Sequence, residues 1–206
     1  MPVLYDYLDS GNGYKCRLLL AQLGIPYTRV ELDIDRGETR TPDFLKKNPN
    51  GRIPALELDD GPDKGTVLAE SNAILCYLAD GTPFWPSDRL LRAQVLQWLF
   101  FEQYSHEPYV ATPRYILRHL GRDHPRMAEM PDRLKRGRDA LAVMDRHLQQ
   151  HDFFAGNRYS IADIALYAYT HRAGEADLDL APWPALRAWL ARVAAQPGHV
   201  KMLPED

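Results

Sequence analysis

The sequence predicts an α/β domain followed by an all-helical domain. Over residues 1–81, short apolar segments that fit strands alternate with segments that fit helices. Beyond a linker with the sequence GTPFWPSD, apolar residues recur at helical spacing and no strand pattern is convincing. We therefore expect two domains, residues 1–81 and residues 87–206.

The first domain is predicted to have the element order βαβ-α-ββα. Its helices are delimited by capping signals, such as a glycine just past a helix end or a threonine followed by proline at a helix start. The predicted elements are a strand at 2–8, a helix ending at 24, a strand at 27–32, a helix at 43–47, strands at 55–58 and 66–69, and a helix from 71 to about 81. This order resembles that of a thioredoxin-like domain.

The second domain is predicted to contain four helices. The first covers 89–119 and should be disturbed at Pro108 and Pro113, because proline lacks an N–H and crowds the preceding turn. An amphipathic helix follows at 131–150, and the fourth begins at Pro184. The third begins in the segment YSIADIALYAY, where a serine and an aspartate three residues later form a variant of the capping box.

Composition favours an ordinary globular protein. The 206 residues are 45% hydrophobic and 26% charged, with a net charge of −3, so there is no electrostatic reason to expect nucleic acid or an anionic membrane as a partner. No segment approaches the roughly 20 apolar residues of a membrane helix, and the N-terminus lacks signal-peptide features. We expect a cytoplasmic location. Cys16 and Cys76 form no thiol-pair motif.

The start of the first helix is the first candidate site. The segment SGNGYKCRLLLAQLGIPY places the hydroxyl of Ser10 and the amide of Asn12 there, and it contains no acidic residue. A helix start presents unpaired N–H groups and the positive end of the helix dipole, so it favours an anion. A thiolate is one such anion.

Two further segments predict recognition of a peptide-like ligand. In NPNGRIPAL, a cis Ile53–Pro54 bond is expected from the element order, and it would leave the main chain of Ile53 free to pair with an extended peptide. In LAESNAILCYLA, Ser71 opens a helix that can hold a carboxylate, while Glu70 can accept hydrogen bonds from an ammonium group. This junction fits both ends of an amino-acid head group.

Together, SGNGYK, NPNGRIPAL, ESNAILCYLA and YSIADIALYAY resemble a cytosolic glutathione transferase, and the match covers nearly the whole chain in the right order. The resemblance implies a homodimer that uses glutathione as co-substrate, with no permanently bound cofactor. No metal is expected, because His147 and His151, at i, i+4 spacing, have no third histidine close in the sequence. It places the cysteinyl part of glutathione at Ile53 and Pro54, and the γ-glutamyl end at Glu70 and Ser71.

The group that activates the thiol is open between four residues. The segment SGNGYK resembles the T-P-N-G-x-K of bacterial nu-class and fungal prion-related members. That match implies that Asn12 donates to the sulfur and that Ser10 assists or leads. Tyr5 and Tyr7 are the rival donors, because the tyrosine type of the family places its phenol near the end of the first strand.

The same members imply further contacts to glutathione from Arg52 and Thr39, although they carry histidine where this chain has Thr39. The electrophile is expected in a pocket between the domains. Four residues of the long helix are the candidates for its lining: Tyr104, His106, Tyr109 and Arg114.

The expected function is conjugation or reduction of small electrophiles, including their detoxification. One alternative is a catalytically weak module of the same fold that binds glutathione or a protein. A second alternative is a glutathione-dependent disulfide or peroxide reductase. The presence of both Ser10 and Asn12 favours the enzyme, because a binding module has no need of groups that activate a thiol.

Overall fold

The computed structural model describes residues 1–203 and divides the chain into two compact units. The first unit is residues 1–80 together with residues 197–203, and the second is residues 81–196. The final three residues of the predicted second domain, 204–206, lie outside the described residues. Along the described part of the chain, no helix is long and apolar enough to cross a bilayer.

The first unit has the predicted order βαβ-α-ββα, so this part of the fold prediction is confirmed. Its elements are β1 (Val3–Asp6), α1 (Gly11–Gln22), β2 (Thr28–Glu31), a 3₁₀ turn (Glu38–Arg40), α2 (Pro42–Lys47), β3 (Ala55–Glu57), β4 (Val67–Ala69) and α3 (Ser71–Ala79). The strands are shorter than predicted. At the end of β1 the reason is local, because the amide of Ser10 bonds the carbonyl of Tyr7 at 2.8 Å and turns the chain into α1.

The four strands form one mixed sheet in the order β2-β1-β3-β4. β1 is parallel to β2 and antiparallel to β3, and β3 is antiparallel to β4. Leu4 lies opposite Leu56 in the register. Both are fully buried in the apolar core with Cys16, Leu20 and Ile74, which α1 and α3 contribute. This core fixes the starts of α1 and α3 at the carboxyl end of β1.

The second unit is helical, which confirms the second part of the fold prediction. Its α-helices are α4 (Arg89–Phe101), α5 (Glu107–Tyr115), α6 (Met130–Leu148), α7 (Ile161–Thr170) and α8 (Pro184–Ala194). Shorter helical turns cover Glu102–His106, Ile116–Leu120, Pro125–Glu129 and Ala173–Ala176. The predicted capping box at the start of α7 is present and is described below.

The predicted helix over 89–119 is interrupted as its prolines require. A π-helical turn at Glu102–His106 precedes Pro108, and Pro113 lies inside α5. Pro113 cannot supply the N–H that would bond the carbonyl of Tyr109. α6 packs against that carbonyl through Gly137, where a Cβ atom would come within 2.6 Å of the Tyr109 oxygen. A glycine is therefore required at this crossing of α5 and α6.

Candidate functional site at the start of α1

The start of α1 has the features that favour an anion. Ser10 is the N-cap residue in an extended conformation, and its Oγ accepts a hydrogen bond of 3.2 Å from the amide of Gly13. The first turn contains no acidic residue. Asn12 lies within this first turn rather than before the helix, so its amide side chain belongs to the helix start itself. No residue of the first turn itself offsets the positive end of the dipole with a carboxylate.

Steric crowding explains the glycine at position 13 of the motif SGNGYK. A Cβ atom on Gly13 would lie 1.5 Å from Oδ1 of Asp6, so only glycine lets α1 approach the end of β1 this closely. Asp6 is fully buried, and its Oδ2 lies 2.9 Å from Nε of Arg17. Burial raises the pKa of Asp6 to about 6, although the charge of Arg17 acts in the opposite direction.

Residues 197–203 hold α1 in place. The hydroxyl of Tyr14 donates to the carbonyl of Val200 at 2.7 Å. The guanidinium of Arg17 donates to the carbonyl of Met202 at 2.9 Å and to that of Leu8 at 2.6 Å. Hydrogen bonds to charged groups are stronger than neutral ones. The helix that carries Ser10 and Asn12 is thus held by hydrogen bonds from the side chains of Tyr14 and Arg17 to main-chain carbonyls.

Four polar side chains meet where α1 and α3 begin. Nζ of Lys15 lies 3.3 Å from Oγ of Ser71 and 3.5 Å from Oδ1 of Asn72. The hydroxyl of Ser71 donates to Oδ1 of Asn12 at 3.2 Å. Lys15 exposes none of its surface, and Ser71 exposes 5%. The structure therefore joins two predicted site residues, Asn12 and Ser71, and adds a buried cation.

Lys15 is not among the predicted site residues, although it stands inside the motif SGNGYK. A signal for it was present. A cation in the second turn of a helix faces the positive end of the dipole, which disfavours it. The residues that follow it, CRLLL, belong to a buried helix face. A lysine in such a place is rarely buried without polar partners, so its partners should have been sought.

The NPNGRIP loop is held by one asparagine. The side chain of Asn48 donates to the carbonyl of Arg52 at 2.7 Å and accepts from the amide of Asn50 at 3.1 Å. Gly51 has φ +59°, and a Cβ atom there would approach the carbonyl of Thr39 to 2.9 Å. Glycine is therefore needed at this position for both its conformation and its lack of a side chain.

The predicted cis bond between Ile53 and Pro54 is confirmed. β3 begins directly after it, at Ala55. Within residues 1–203, the main chain of Ile53 forms no hydrogen bond. Its N–H and C=O groups are strong hydrogen-bonding groups, so this position suits pairing with an extended ligand.

Glu70 has an unusual backbone conformation. Its φ of 66° lies in the region that residues with a Cβ atom rarely adopt. Such conformations cost about 1–3 kcal/mol and cluster at functional sites. Glycine would fit here at lower cost, yet the chain has an exposed carboxylate directly before the buried Ser71. This strained carboxylate is therefore a candidate for binding a ligand.

The two rival tyrosines differ in their surroundings. The hydroxyl of Tyr5 donates to Oε2 of Glu57 at 2.7 Å, and Lys47 lies 2.6 Å from the same oxygen. The single phenolic proton of Tyr5 is thereby committed to Glu57. Burial raises the pKa of Tyr7 and the negative charges of Asp35 and other nearby acids act in the same direction, which opposes ionisation of its phenol.

The remaining predicted glutathione contacts differ in exposure. Arg52, which directly precedes the cis Ile53–Pro54 pair, is exposed. Thr39 is 94% buried in the 3₁₀ turn that leads into α2.

The four predicted electrophile residues occupy contrasting environments in the second unit. Tyr104 is 84% exposed, and the hydroxyl of Tyr109 lies 3.1 Å from the guanidinium of Arg136. His106 is fully buried, with Nε2 at 2.9 Å from Oγ1 of Thr170. Arg114 is also buried, and its Nε donates to Glu175 at 2.6 Å.

The chain's own thiols do not resemble a nucleophile. Cys16 is fully buried inside α1, and burial raises its pKa far above the ordinary value. Burial also raises the pKa of the half-buried Cys76. A reactive cysteine needs a lowered pKa and access to solvent. Any thiolate at the start of α1 must therefore come from a ligand.

The fold and this site define a class of protein: a thioredoxin-like α/β unit that prepares a helix start for an anion, followed by a helical unit. Comparison with known families places the chain within that class. Residues 3–80 match the model of the glutathione S-transferase N-terminal domain, and residues 98–197 match that of the C-terminal domain. The chain belongs to the glutathione S-transferase family, which confirms the resemblance seen in the sequence and the expected class of enzyme.

Individual relatives agree with this assignment. A glutathione S-transferase from Pseudomonas fluorescens is 52% identical, with a TM-score of 0.94 over 98% of this chain and 99% of its own. A glutathione transferase family member from the same species, solved with two glutathione molecules bound, is 28% identical, with a TM-score of 0.86 over 96% and 89%. The Escherichia coli disulfide-bond oxidoreductase YfcG is 30% identical over 198 residues, which cover 93% of this chain and 89% of YfcG.

Proposed function

We propose that this chain binds glutathione, ionises its thiol at the start of α1, and uses the thiolate to conjugate or reduce small electrophiles. The observation that carries the proposal is the Ser10-capped helix start, which has Asn12 in its first turn and no acidic residue. Asn12 is also tied to Ser71 at the start of α3.

The chemistry required of this site is modest. A free thiol has a pKa near 8.5, so only a few per cent is ionised at pH 7. Lowering that pKa by about two units requires roughly 2.7 kcal/mol of stabilisation of the anion. One hydrogen bond to a charged group contributes about 1.5–3 kcal/mol, and a helix start contributes up to about 1 kcal/mol. No general base is needed.

The remainder of glutathione is bound by the predicted residues. The main chain of Ile53, before Pro54, pairs with the cysteinyl part, and Arg52 and Thr39 add contacts beside it. The main-chain N–H groups at the start of α3, that of Ser71 among them, receive the γ-glutamyl carboxylate. Glu70 accepts hydrogen bonds from the ammonium group, which is consistent with a retained carboxylate at a position of positive φ.

The two predicted domains have separate roles in this proposal. The predicted domain over residues 1–81 binds glutathione. The predicted domain over residues 87–206 contributes the pocket for the electrophile through its helices, which lie before residue 197, where the chain joins the first compact unit. Tyr109 is the better candidate for contact with the electrophile, because its side chain is partly exposed. Tyr104 is more exposed, but it lies one helical turn from Phe100 and belongs to the apolar surface that we assign to the dimer below. His106 and Arg114 are buried, so their role would be to hold the shape of α5 and its neighbours.

Disulfide reduction is the second candidate, and the relationship to YfcG favours it. In that reaction the glutathione thiolate attacks one sulfur of a disulfide, a mixed disulfide forms, and the other sulfur leaves as a thiolate. Neither cysteine of this chain suits the attack, so the nucleophile is glutathione in both candidate reactions.

We also propose that the chain acts in the cytoplasm as a homodimer, in the detoxification of electrophiles, with glutathione as co-substrate and no permanent cofactor. An exposed apolar surface supports the dimer. Phe100 and Tyr104, one helical turn apart, are 69% and 84% exposed. The Phe100→Glu variant should shift the molar mass measured by light scattering from that of two chains to that of one.

Turnover with glutathione tests the function. We would assay haloarenes, epoxides, peroxides and mixed disulfides with the wild type and with Asn12→Ala and Ser10→Ala variants, and use Tyr5→Phe as the matched control. The proposal predicts turnover that falls at least tenfold in Asn12→Ala and is retained in Tyr5→Phe, because one hydrogen bond to the anion is lost only in the former. Glutathione binding without turnover of any substrate would indicate the binding module instead.

A further inference from the structure

We propose that Lys15 is a positioning residue that acts through Ser71 to fix the orientation of the Asn12 side chain, so that the amide presents its N–H donors to the thiol of glutathione. The inference rests on the proposed function and adds to it a residue that never touches the sulfur. It follows from the order in which donors and acceptors are joined at the start of α1.

The direction of the hydrogen bonds is set by the ammonium group. A lysine ammonium can only donate, so Oγ of Ser71, 3.3 Å from Nζ of Lys15, must accept. A serine hydroxyl has a single proton. With its oxygen already accepting from Lys15, that proton is directed to Oδ1 of Asn12, 3.2 Å away.

The amide of Asn12 is thereby placed in one of two nearly isosteric orientations. An asparagine amide can be rotated so that its oxygen and nitrogen exchange places, and the hydrogen-bond network decides between the two. Here Ser71 donates to the amide oxygen, so the nitrogen with its two protons becomes the opposite side of the group. In the other orientation the oxygen would face a thiolate and repel it.

The burial of Lys15 supports a specific role. Its side chain exposes no surface, and its Nζ also lies 3.5 Å from Oδ1 of Asn72. The ammonium therefore lies beside the starts of both α1 and α3, whose dipoles direct positive ends toward it. Such a placement costs free energy, and a neutral side chain of the same length would avoid the cost. A function for the charge or its protons explains why a lysine stands there.

The test measures the pKa of the bound glutathione thiol from the ultraviolet absorbance of its thiolate, at saturating glutathione. Lys15→Met keeps the length of the side chain and removes the ammonium. We expect the pKa of the bound thiol to rise by about one unit, a tenfold change in the ratio of thiolate to thiol. At pH 7, kcat should fall more than the KM for glutathione rises, because the amide acts on the sulfur.

Lys15→Met is introduced both into the wild type and into the Asn12→Ala variant. This comparison shows whether Lys15 changes the pKa of the bound thiol through Asn12 or directly. In the Asn12→Ala variant there is no amide to orient, so adding Lys15→Met should leave the pKa of the bound thiol unchanged. If the ammonium instead stabilised the thiolate directly through space, Lys15→Met would raise the pKa equally in both backgrounds. An equal rise would overturn the proposal.

Two further variants complete the design. Ser71→Ala breaks the same relay and retains Lys15, so it should raise the pKa of the bound thiol in the wild-type background but not in Asn12→Ala. It also keeps the proposal testable if Lys15→Met fails to fold. Lys47→Met is the matched control, because it removes a lysine of the same unit that pairs with Glu57 at 2.6 Å. This control should leave the pKa of the thiol unchanged.

The outcomes separate this inference from the proposed function. A lowered thiol pKa in the wild type that is unchanged in Lys15→Met and Ser71→Ala would overturn the inference and leave the function intact. A wild type that binds glutathione with the thiol pKa of free glutathione would overturn both. A rise in both relay variants that disappears without Asn12 would support both.

Discussion

The helices α1 and α7 both begin with a serine N-cap, but only the first turn of α7 contains an acidic residue. At α7, Ser160 is followed at the third position by Asp163, whose carboxylate accepts from the amide and the hydroxyl of Ser160. The same carboxylate accepts from the indole of Trp189 at 2.9 Å. At α1, Ser10 is followed by Asn12 and Gly13, and no acidic residue stands in the first turn.

This difference distinguishes a helix start that the chain neutralises itself from one that we propose binds a ligand. Asp163 is fully buried and neutralises the positive end of α7 from within the chain. α1 instead has an amide at its start and a lysine, Lys15, in its second turn. The first turn of α1 supplies no such charge of its own, so this start suits a bound anion.

The largest effect is expected on stability, from removal of the carboxylate at the start of α7. Asp163→Ala should lower the free energy of unfolding by about 4 kcal/mol, because the amides of Phe154 and Ser160 and the indole of Trp189 lose their buried acceptor. Urea denaturation monitored by circular dichroism measures the loss. Asp139→Ala, an exposed aspartate of α6, is the control and should change stability by less than about 0.5 kcal/mol. A similar small change in both variants would refute the structural role.

The acid beneath α1 should make stability depend on pH. Burial raises the pKa of Asp6 from 3.8 to about 6, so the folded state holds this proton more tightly than the unfolded state. Protonation of Asp6 therefore contributes to the free energy of unfolding below about pH 4, and this contribution is lost as the pH rises to about 6. Relative to Asp6→Asn, the wild type should therefore lose up to roughly 3 kcal/mol between these values. Urea denaturation at a series of pH values checks this, and a constant difference would contradict it.

Placing a carboxylate in the first turn of α1 should strongly reduce the activity with glutathione. Asn12→Asp keeps an oxygen that accepts from Ser71, but it removes the N–H donors and places a carboxylate in the first turn, as at α7. We expect kcat/KM for glutathione at pH 7 to fall by about 100-fold, which corresponds to about 2.7 kcal/mol. Asn12→Ala, which loses the donor without gaining a charge, should fall by about tenfold. Equal activity of wild type and Asn12→Asp would show that charge at this start is unimportant.

The smallest effect concerns Glu70, at the start of α3. Glu70→Gly relieves the positive φ, so stability should be unchanged or rise by about 1 kcal/mol. The KM for glutathione should rise by about tenfold, because the contact to its ammonium group is lost. Glu70→Gln, which keeps the shape and removes the charge, should raise KM without the gain in stability. If neither variant changes KM, Glu70 does not bind the ligand.

The comparison also shows what the sequence can predict. The element order of the first unit, the cis Ile53–Pro54 bond and the capping box at Ser160 follow from residues close together in the chain, and all three are confirmed. Each depends on local geometry: the period of the apolar residues, a proline in the context of neighbouring strands, and two polar residues three positions apart.

The network at the start of α1 could not be predicted in the same way. Lys15 meets Ser71 across 56 positions of the chain, and Ser71 meets Asn12 across 59. Those contacts exist because α1 and α3 share one apolar core, and no local pattern shows which side chains that packing brings together. The positive φ of Glu70 is likewise a product of the turn between β4 and α3 and not of the residue type.

The most direct test of the account is the ultraviolet titration of glutathione bound to the wild-type protein. Free glutathione should show its thiolate band with a pKa near the ordinary thiol value of about 8.5. We expect the pKa of the bound thiol to be about two units lower, because the start of α1 and Asn12 stabilise the anion. A bound thiol that titrates with the pKa of the free tripeptide would contradict it.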